Sequence, residues 1–62
     1  MTLKFIYYEE DEGFVGWLEE FPDYRTQGET LAELEDNLKD IYEDLTSGAI
    51  PSVRRVGEIV IK

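Results

Sequence analysis

The first third of the chain holds two apolar runs, separated by polar residues, whose composition is typical of β-strands. Residues 2–8 and 14–20 are rich in β-branched and aromatic side chains, and the acidic run 9–13 between them predicts a hairpin. Pro22 ends the second strand, because proline cannot donate to a strand ladder. A short third strand is predicted over about residues 24–27, where a glycine follows and breaks the chain.

From Thr30 onward the apolar period changes to 3.6, which predicts an amphipathic helix. Thr30 and Glu33 have the spacing of a capping box at its start. Ser47 and Gly48 predict its end, because glycine readily adopts the left-handed conformation that closes a last turn. The apolar stripe that must face the sheet is Leu31, Leu34, Leu38, Ile41 and Leu45.

A final strand is predicted over residues 53–61, with Gly57 as a candidate bulge. The fold class is therefore α+β: an antiparallel sheet of three to four strands with one helix, in the order β-β-β-α-β. One helix covers only one face of a sheet. Successive strand residues point to opposite faces, and here Phe5 and Tyr7 alternate with Ile6 and Tyr8. The second face of the sheet is therefore apolar as well.

The chain is long enough for one domain only, residues 1–62. A core of this size rarely supplies more than ~3–5 kcal/mol of stability. The absence of cysteine and histidine excludes a disulfide and disfavours structural zinc. We therefore expect a homo-oligomer, a dimer or larger, with Trp17 and Val15 in the interface. The alternative is that the aromatic rings cap a small core with their polar tips outward.

Fifteen acids face six bases, which gives a formal net charge of −9. This charge disfavours direct binding to nucleic acid, whose affinity comes mainly from lysine and arginine. It favours a basic protein as partner, although an acidic surface also serves solubility. We expect a cytoplasmic protein, because the N-terminus lacks the basic and apolar regions of a signal peptide.

Histidine and cysteine are absent, which removes the usual nucleophilic triads, and no phosphate-binding glycine loop occurs. We expect no enzymatic activity and no cofactor. A divalent-metal nuclease built on the acidic run 9–12 remains a distant alternative. That run lacks the spacing of a calcium loop, so we interpret it as a solvated turn without a metal.

The predicted helix carries an acidic face. Glu35 and Lys39 have favourable i,i+4 spacing, whereas Asp36, Asp40 and Asp44 form like-charge pairs that cost about 0.2–0.5 kcal/mol each. In a marginally stable domain this repulsion has two explanations: the acidic charge serves to bind a partner, or it serves solubility. The candidate partner-binding residues are Glu33, Asp36, Asp40 and Asp44 on the helix and Glu9 and Glu10 in the hairpin.

The stretch FPDYRTQGETL, residues 21–31, resembles the HicB family of antitoxins, whose recurring stretch is similar to "lPGcvTQGdTleEAlenikeai". Asp23 departs from the family's usual glycine, and Tyr24 lies near its small residue. The resemblance covers roughly residues 3–46. The matching positions are Pro22, Thr26, Gln27, Gly28, Glu29, Thr30 and Leu31.

The resemblance implies a degenerate ribonuclease-H-like fold without nuclease activity. A domain of this kind binds and inhibits a small basic toxin, HicA-like, that cleaves mRNA with a catalytic histidine. Many members of the family continue into a DNA-binding domain, whereas this chain stops at Lys62, so we expect no direct operator binding. The alternative is a self-associating domain with another regulatory role and no toxin partner.

Overall fold

The computed structural model describes residues 2–48 and 50–61. It is an α+β fold in which a three-stranded antiparallel sheet carries one helix, in the order β-β-β-α. This confirms the predicted class and the first three strands. The elements are β1 (Phe5–Glu10), β2 (Gly13–Leu18), β3 (Thr26–Gly28) and α1 (Leu31–Thr46).

Strands β1 and β2 form the predicted hairpin, and β2 lies in the centre of the sheet between β1 and β3. The turn is shorter than predicted, since only residues 11 and 12 connect the strands. Glu9 and Glu10 lie within β1 and not in the turn, because Glu10 pairs with Gly13. Strand β3 is only three residues long and begins two residues later than expected.

Helix α1 has the predicted bounds. The Thr30 hydroxyl accepts a hydrogen bond from the Glu33 backbone N–H at 3.1 Å, as an N-cap should. The Glu33 carboxylate accepts from the Glu29 N–H at 3.2 Å, one residue before the position that a capping box would give. Ser47 is the C-cap, and Gly48 follows with a φ of 84°.

The core lies between α1 and one face of the sheet. Leu34 is fully buried, and Phe21, from the loop after β2, is 1% exposed. Leu31 and Ile41 of the predicted stripe are partly buried and pack against this cluster. The stripe is thereby confirmed as the inward face of the helix. The buried cluster is Leu18, Phe21, Leu34, Leu38 and Leu45.

Two glycines allow the helix to lie close to the sheet. A Cβ at Gly28 would stand 2.6 Å from the Leu34 backbone nitrogen, so the junction between β3 and α1 has no room for a side chain. A Cβ at Gly16, in the central strand, would stand 3.1 Å from the Leu34 side chain. Leu34 therefore occupies space that side chains at these two positions would take.

The fourth strand predicted over residues 53–61 is not formed in the described chain. A strand is defined by hydrogen bonds to a neighbouring strand. The first residues of this segment contact the loop after β2 and not an edge of the sheet. Arg54 Nη1 contacts Asp23 Oδ2 at 3.1 Å, and the Arg55 guanidinium lies 5.8 Å from the centroid of the Phe21 ring. In the part of the chain that the structure describes, no helix is long and apolar enough to cross a membrane.

We predict that Gly28→Ala lowers the free energy of unfolding by about 1–3 kcal/mol, because the added methyl group must displace the start of the helix backbone. Urea denaturation at one fixed protein concentration measures this change. Gly57→Ala is the matched control, since a Cβ there meets nothing within 4 Å. Its effect should stay within about 0.5 kcal/mol. Equal stability of both variants would show that the junction is not tightly packed.

Candidate protein-binding surface

The sheet has one uncovered face. Helix α1 packs on β2 and β3 from the side of Phe14, Gly16 and Leu18, so the alternate side chains of the strands point away from it. The strand register pairs those alternate residues with each other. We call the resulting apolar surface the open face; it comprises Ile6, Tyr8, Val15 and Trp17.

The aromatic rings of the open face are arranged edge to face. The centroids of Tyr8 and Trp17 lie 6.4 Å apart with an interplanar angle of 66°. The Arg25 guanidinium lies 4.7 Å from the centroid of Trp17, a cation–π distance. Ile6 is 45% exposed and Tyr8 43% exposed. The open face therefore combines apolar area with amphipathic rings, the chemistry that binding anchors use in protein interfaces.

The structure places both predicted interface residues, Trp17 and Val15, on the open face, where each is half-buried. Arg25 was missed in the sequence. The available signal was the period of two: Arg25 and Gln27 alternate along the approach to β3, and Gln27 pairs with Val15. The stacking of Arg25 on Trp17 depends on the strand register, which the sequence pattern left undefined.

The acidic face of α1 is exposed, as expected. Glu33, Asp36, Asp40 and Asp44 all lie at the surface. Lys39 Nζ lies 3.9 Å from Asp36 Oδ1, so the helix's lysine contacts Asp36. The side chains of this pair are 71% and 77% exposed, so it contributes little stability. The sequence had suggested Glu35 as the partner of Lys39.

The hairpin acids do not act as one group. Glu9 pairs with Phe14 on the helix side of the sheet, whereas Glu10 pairs with Gly13 and faces the other way. Glu10 and Glu33 line one open cleft of about 440 Å³ at the hairpin end of the sheet, and the remaining helix acids lie further along α1. The six predicted residues thus form a dispersed negative surface.

The described residues hold no group of three or more carboxylates placed to bind a metal ion. They also include no buried polar or charged side chain. The acids of the hairpin diverge because consecutive strand residues point to opposite faces. The arrangement offers charge and apolar area for contact with a macromolecule.

A second apolar feature was missed in the sequence. Helix α1 lies over β2 and β3 and covers β1 only at Phe5, and a groove of about 210 Å³ opens between the start of β1 and the helix. We call it the edge groove. Its lining residues are Leu3, Phe5, Leu18, Glu35, Leu38 and Lys39.

The described chain therefore presents three surfaces with distinct chemistry: the aromatic open face, the acidic face of α1 and the apolar edge groove. Each follows from one helix covering part of one side of a small sheet. No family model matches the chain, and neither a curated protein nor a solved structure matches it.

Proposed function

We propose that this protein is a binding module of the HicB antitoxin type that neutralises a small, basic, mRNA-cleaving HicA-like toxin by protein–protein contact in the cytoplasm. The observation that carries the proposal is the open face: a cluster of Tyr8, Trp17 and Arg25 that no other element of the described chain covers. Contiguous apolar surface of this kind marks an interaction site in small soluble domains.

The segment that resembles the HicB family supports the proposal through its structural role. Gly28 lies against the backbone of Leu34, and Thr30 caps the helix. Two of the matching residues therefore lie at the junction between the sheet and the helix. We infer that the fold is a degenerate ribonuclease-H-like domain in which the predicted fourth strand forms on assembly.

We infer that the module has no catalytic activity of its own. The sequence holds no histidine or cysteine for nucleophilic or acid–base chemistry near neutral pH. Glu9 and Glu10 point to opposite faces of the sheet, so they cannot share a metal ion or a substrate. Inhibition by occlusion of the toxin's RNA-binding surface requires only contact.

The two surfaces have different roles in capture. Complementary charge chiefly raises the rate of association and selects the partner. The acidic face of α1 would attract and contact the basic toxin, and the open face would bury its aromatic anchors against a second copy, which leaves the acids free for the toxin. A toxin whose RNA-binding surface is basic would present to this module the same charges that it presents to RNA.

A second candidate function rests on the same open face. A domain of this size gains stability by burying apolar area against another copy. The open face is exposed and apolar, so the open faces of two copies can pack against each other. In this alternative the chain is a self-associating regulatory domain without a toxin. We infer that the antitoxin itself is a homo-oligomer, so self-association is common to both candidates.

Co-expression with the adjacent reading frame tests the antitoxin proposal. We expect a small, basic, histidine-containing protein to co-purify with this chain and to lose its RNA-cleaving activity in the complex. An adjacent frame that encodes no such protein, or a toxin whose activity survives the complex, would leave the self-associating domain as the function.

Trp17→Ala should weaken self-association by about 2 kcal/mol or more, roughly a 30-fold rise in the dissociation constant, because an aromatic anchor is removed from the centre of the open face. Sedimentation equilibrium measures the constant. Glu20→Ala is the control, since Glu20 is exposed in the loop after β2 and lies outside the open face. If both variants associate like the wild type, the interface lies elsewhere.

Replacing Asp36 and Asp40 with asparagine should slow capture of the toxin at low salt and flatten its salt dependence, because steering charge is lost at constant volume. The variant should also melt slightly higher, since like-charge pairs on the helix are relieved. Stopped-flow association at two ionic strengths measures the first effect.

The control removes the same charge elsewhere: Glu19 and Glu20, both exposed in the loop after β2, become glutamine. A general effect of net charge would alter both double variants equally. Association that is unchanged in the helix variant at both ionic strengths would make the acidic face a solubility feature.

A further inference from the structure

The end of the described chain is an exposed apolar segment. Val56 is 56% exposed, and Ile59, Val60 and Ile61 are 87–88% exposed. We call residues 56–61 the arm. Its β-branched composition is that of a strand, yet in the described chain it pairs with nothing. Such a segment is a ready template for addition to a sheet edge.

The arm leaves the body at a defined point. Val53 packs against the core cluster, Arg54 contacts Asp23, and Arg55 lies over the Phe21 ring. Beyond these anchors the side chains of residues 59–61 are almost fully exposed. The radius of gyration of 13.0 Å exceeds the about 11 Å expected of a compact chain of this length.

Strand β1 offers an unpaired edge of matching length. It spans six residues, and in the described chain only β2 pairs with it. The Glu19 N–H donates to the Lys4 carbonyl, so in this antiparallel pair the backbone groups of Phe5, Tyr7 and Glu9 point to the outer edge. These are the groups that an added strand would use.

The opposite edge of the sheet is less suited to a second strand. Strand β3 has three residues, half the length of the arm. The Asn37 side-chain amide donates to the Gln27 carbonyl at 2.7 Å and so occupies an acceptor of that strand. The β1 edge is therefore the better acceptor for a six-residue segment.

The edge groove lies beside β1 and is complementary to the arm. If the arm is a strand, Ile59 and Ile61 lie on one side of it and Val56 and Val60 on the other. An arm paired with β1 would place one apolar pair over the groove and the other next to Ile6 on the open face. One side of the arm would then be buried in the edge groove, and the other would extend the apolar surface of the open face.

Charge favours the same contact. Residues 50–62 contain three bases and one acid, a formal charge of +2, whereas residues 1–49 contain three bases and fourteen acids, −11. Two acidic bodies repel each other, and a basic apolar segment inserted between them reduces that repulsion. The arm thus has both the shape and the charge to join two copies.

We propose that two copies of this chain exchange their arms: residues 56–61 of each copy add a fourth strand to the β1 edge of the other and cover its edge groove. The proposal rests on the proposed self-association and specifies its geometry. The occupant is a second copy because the arm is almost fully exposed on its own body and carries the charge opposite to that of a second body.

The double variant Ile59→Asn, Ile61→Asn tests the contact without disturbing the monomer, since both side chains are almost fully exposed in it. Because both copies carry the variant, four buried isoleucines are lost from the dimer, which should raise the dissociation constant by at least about a hundred-fold. Glu58→Gln, in the same segment, is the control and should associate like the wild type. A double variant with wild-type association in sedimentation equilibrium would overturn the proposal.

A mixing experiment tests the exchange. Glu9→Pro removes an outward N–H of the β1 edge while leaving the ladder to β2 intact, and Glu9→Ala is its control. Alone, Glu9→Pro and the double variant Ile59→Asn, Ile61→Asn should each be mainly monomeric. Mixed, they should form a heterodimer, because one supplies an intact arm and the other an intact edge. A mixture that stays monomeric would overturn the exchange.

The outcomes separate this proposal from the one on which it rests. A wild-type chain that is monomeric throughout would refute self-association and the arm exchange together. A dimer that Trp17→Ala dissociates but that both the arm variant and the edge variant leave intact would keep self-association through the open face and refute the arm exchange alone.

Discussion

The structure depends on one constraint: a single sixteen-residue helix must provide the whole second layer of a three-stranded sheet. Leu34 satisfies this locally by inserting over Gly16, which brings the helix against the central strand and buries the leucine completely. The same packing leaves most of β1 uncovered by the helix and the other face of the sheet bare. The open face and the edge groove both follow from it.

Features fixed by neighbouring residues could be predicted from the sequence. The Thr30 cap, the Ser47–Gly48 end and the apolar stripe depend on spacing within one helix, and they were found where expected. The open face also followed from alternation along β1 and β2. The start of the hairpin turn was misplaced because Glu9 and Glu10 are poor strand formers that the register nevertheless places in β1.

Features that depend on distant partners could not be predicted. The stacking of Arg25 on Trp17 requires the register of β2 and β3. The sequence of residues 53–61 has the composition of a strand, but composition does not say which edge, or which copy, supplies its hydrogen bonds. The same limit applies to function: an acidic surface and an aromatic face predict contact with a protein, while the identity of that protein rests on the resemblance to HicB antitoxins.

The central claim is that the open face is covered by protein in the working state, and Trp17, the chain's single tryptophan, reports on it directly. Acrylamide quenching of its fluorescence over a dilution series is the most direct test. We expect a shielded, blue-shifted tryptophan at high protein concentration that becomes quenchable and red-shifted as the protein is diluted. Emission and quenching that do not change with concentration, at the accessibility of a half-buried ring, would contradict this claim.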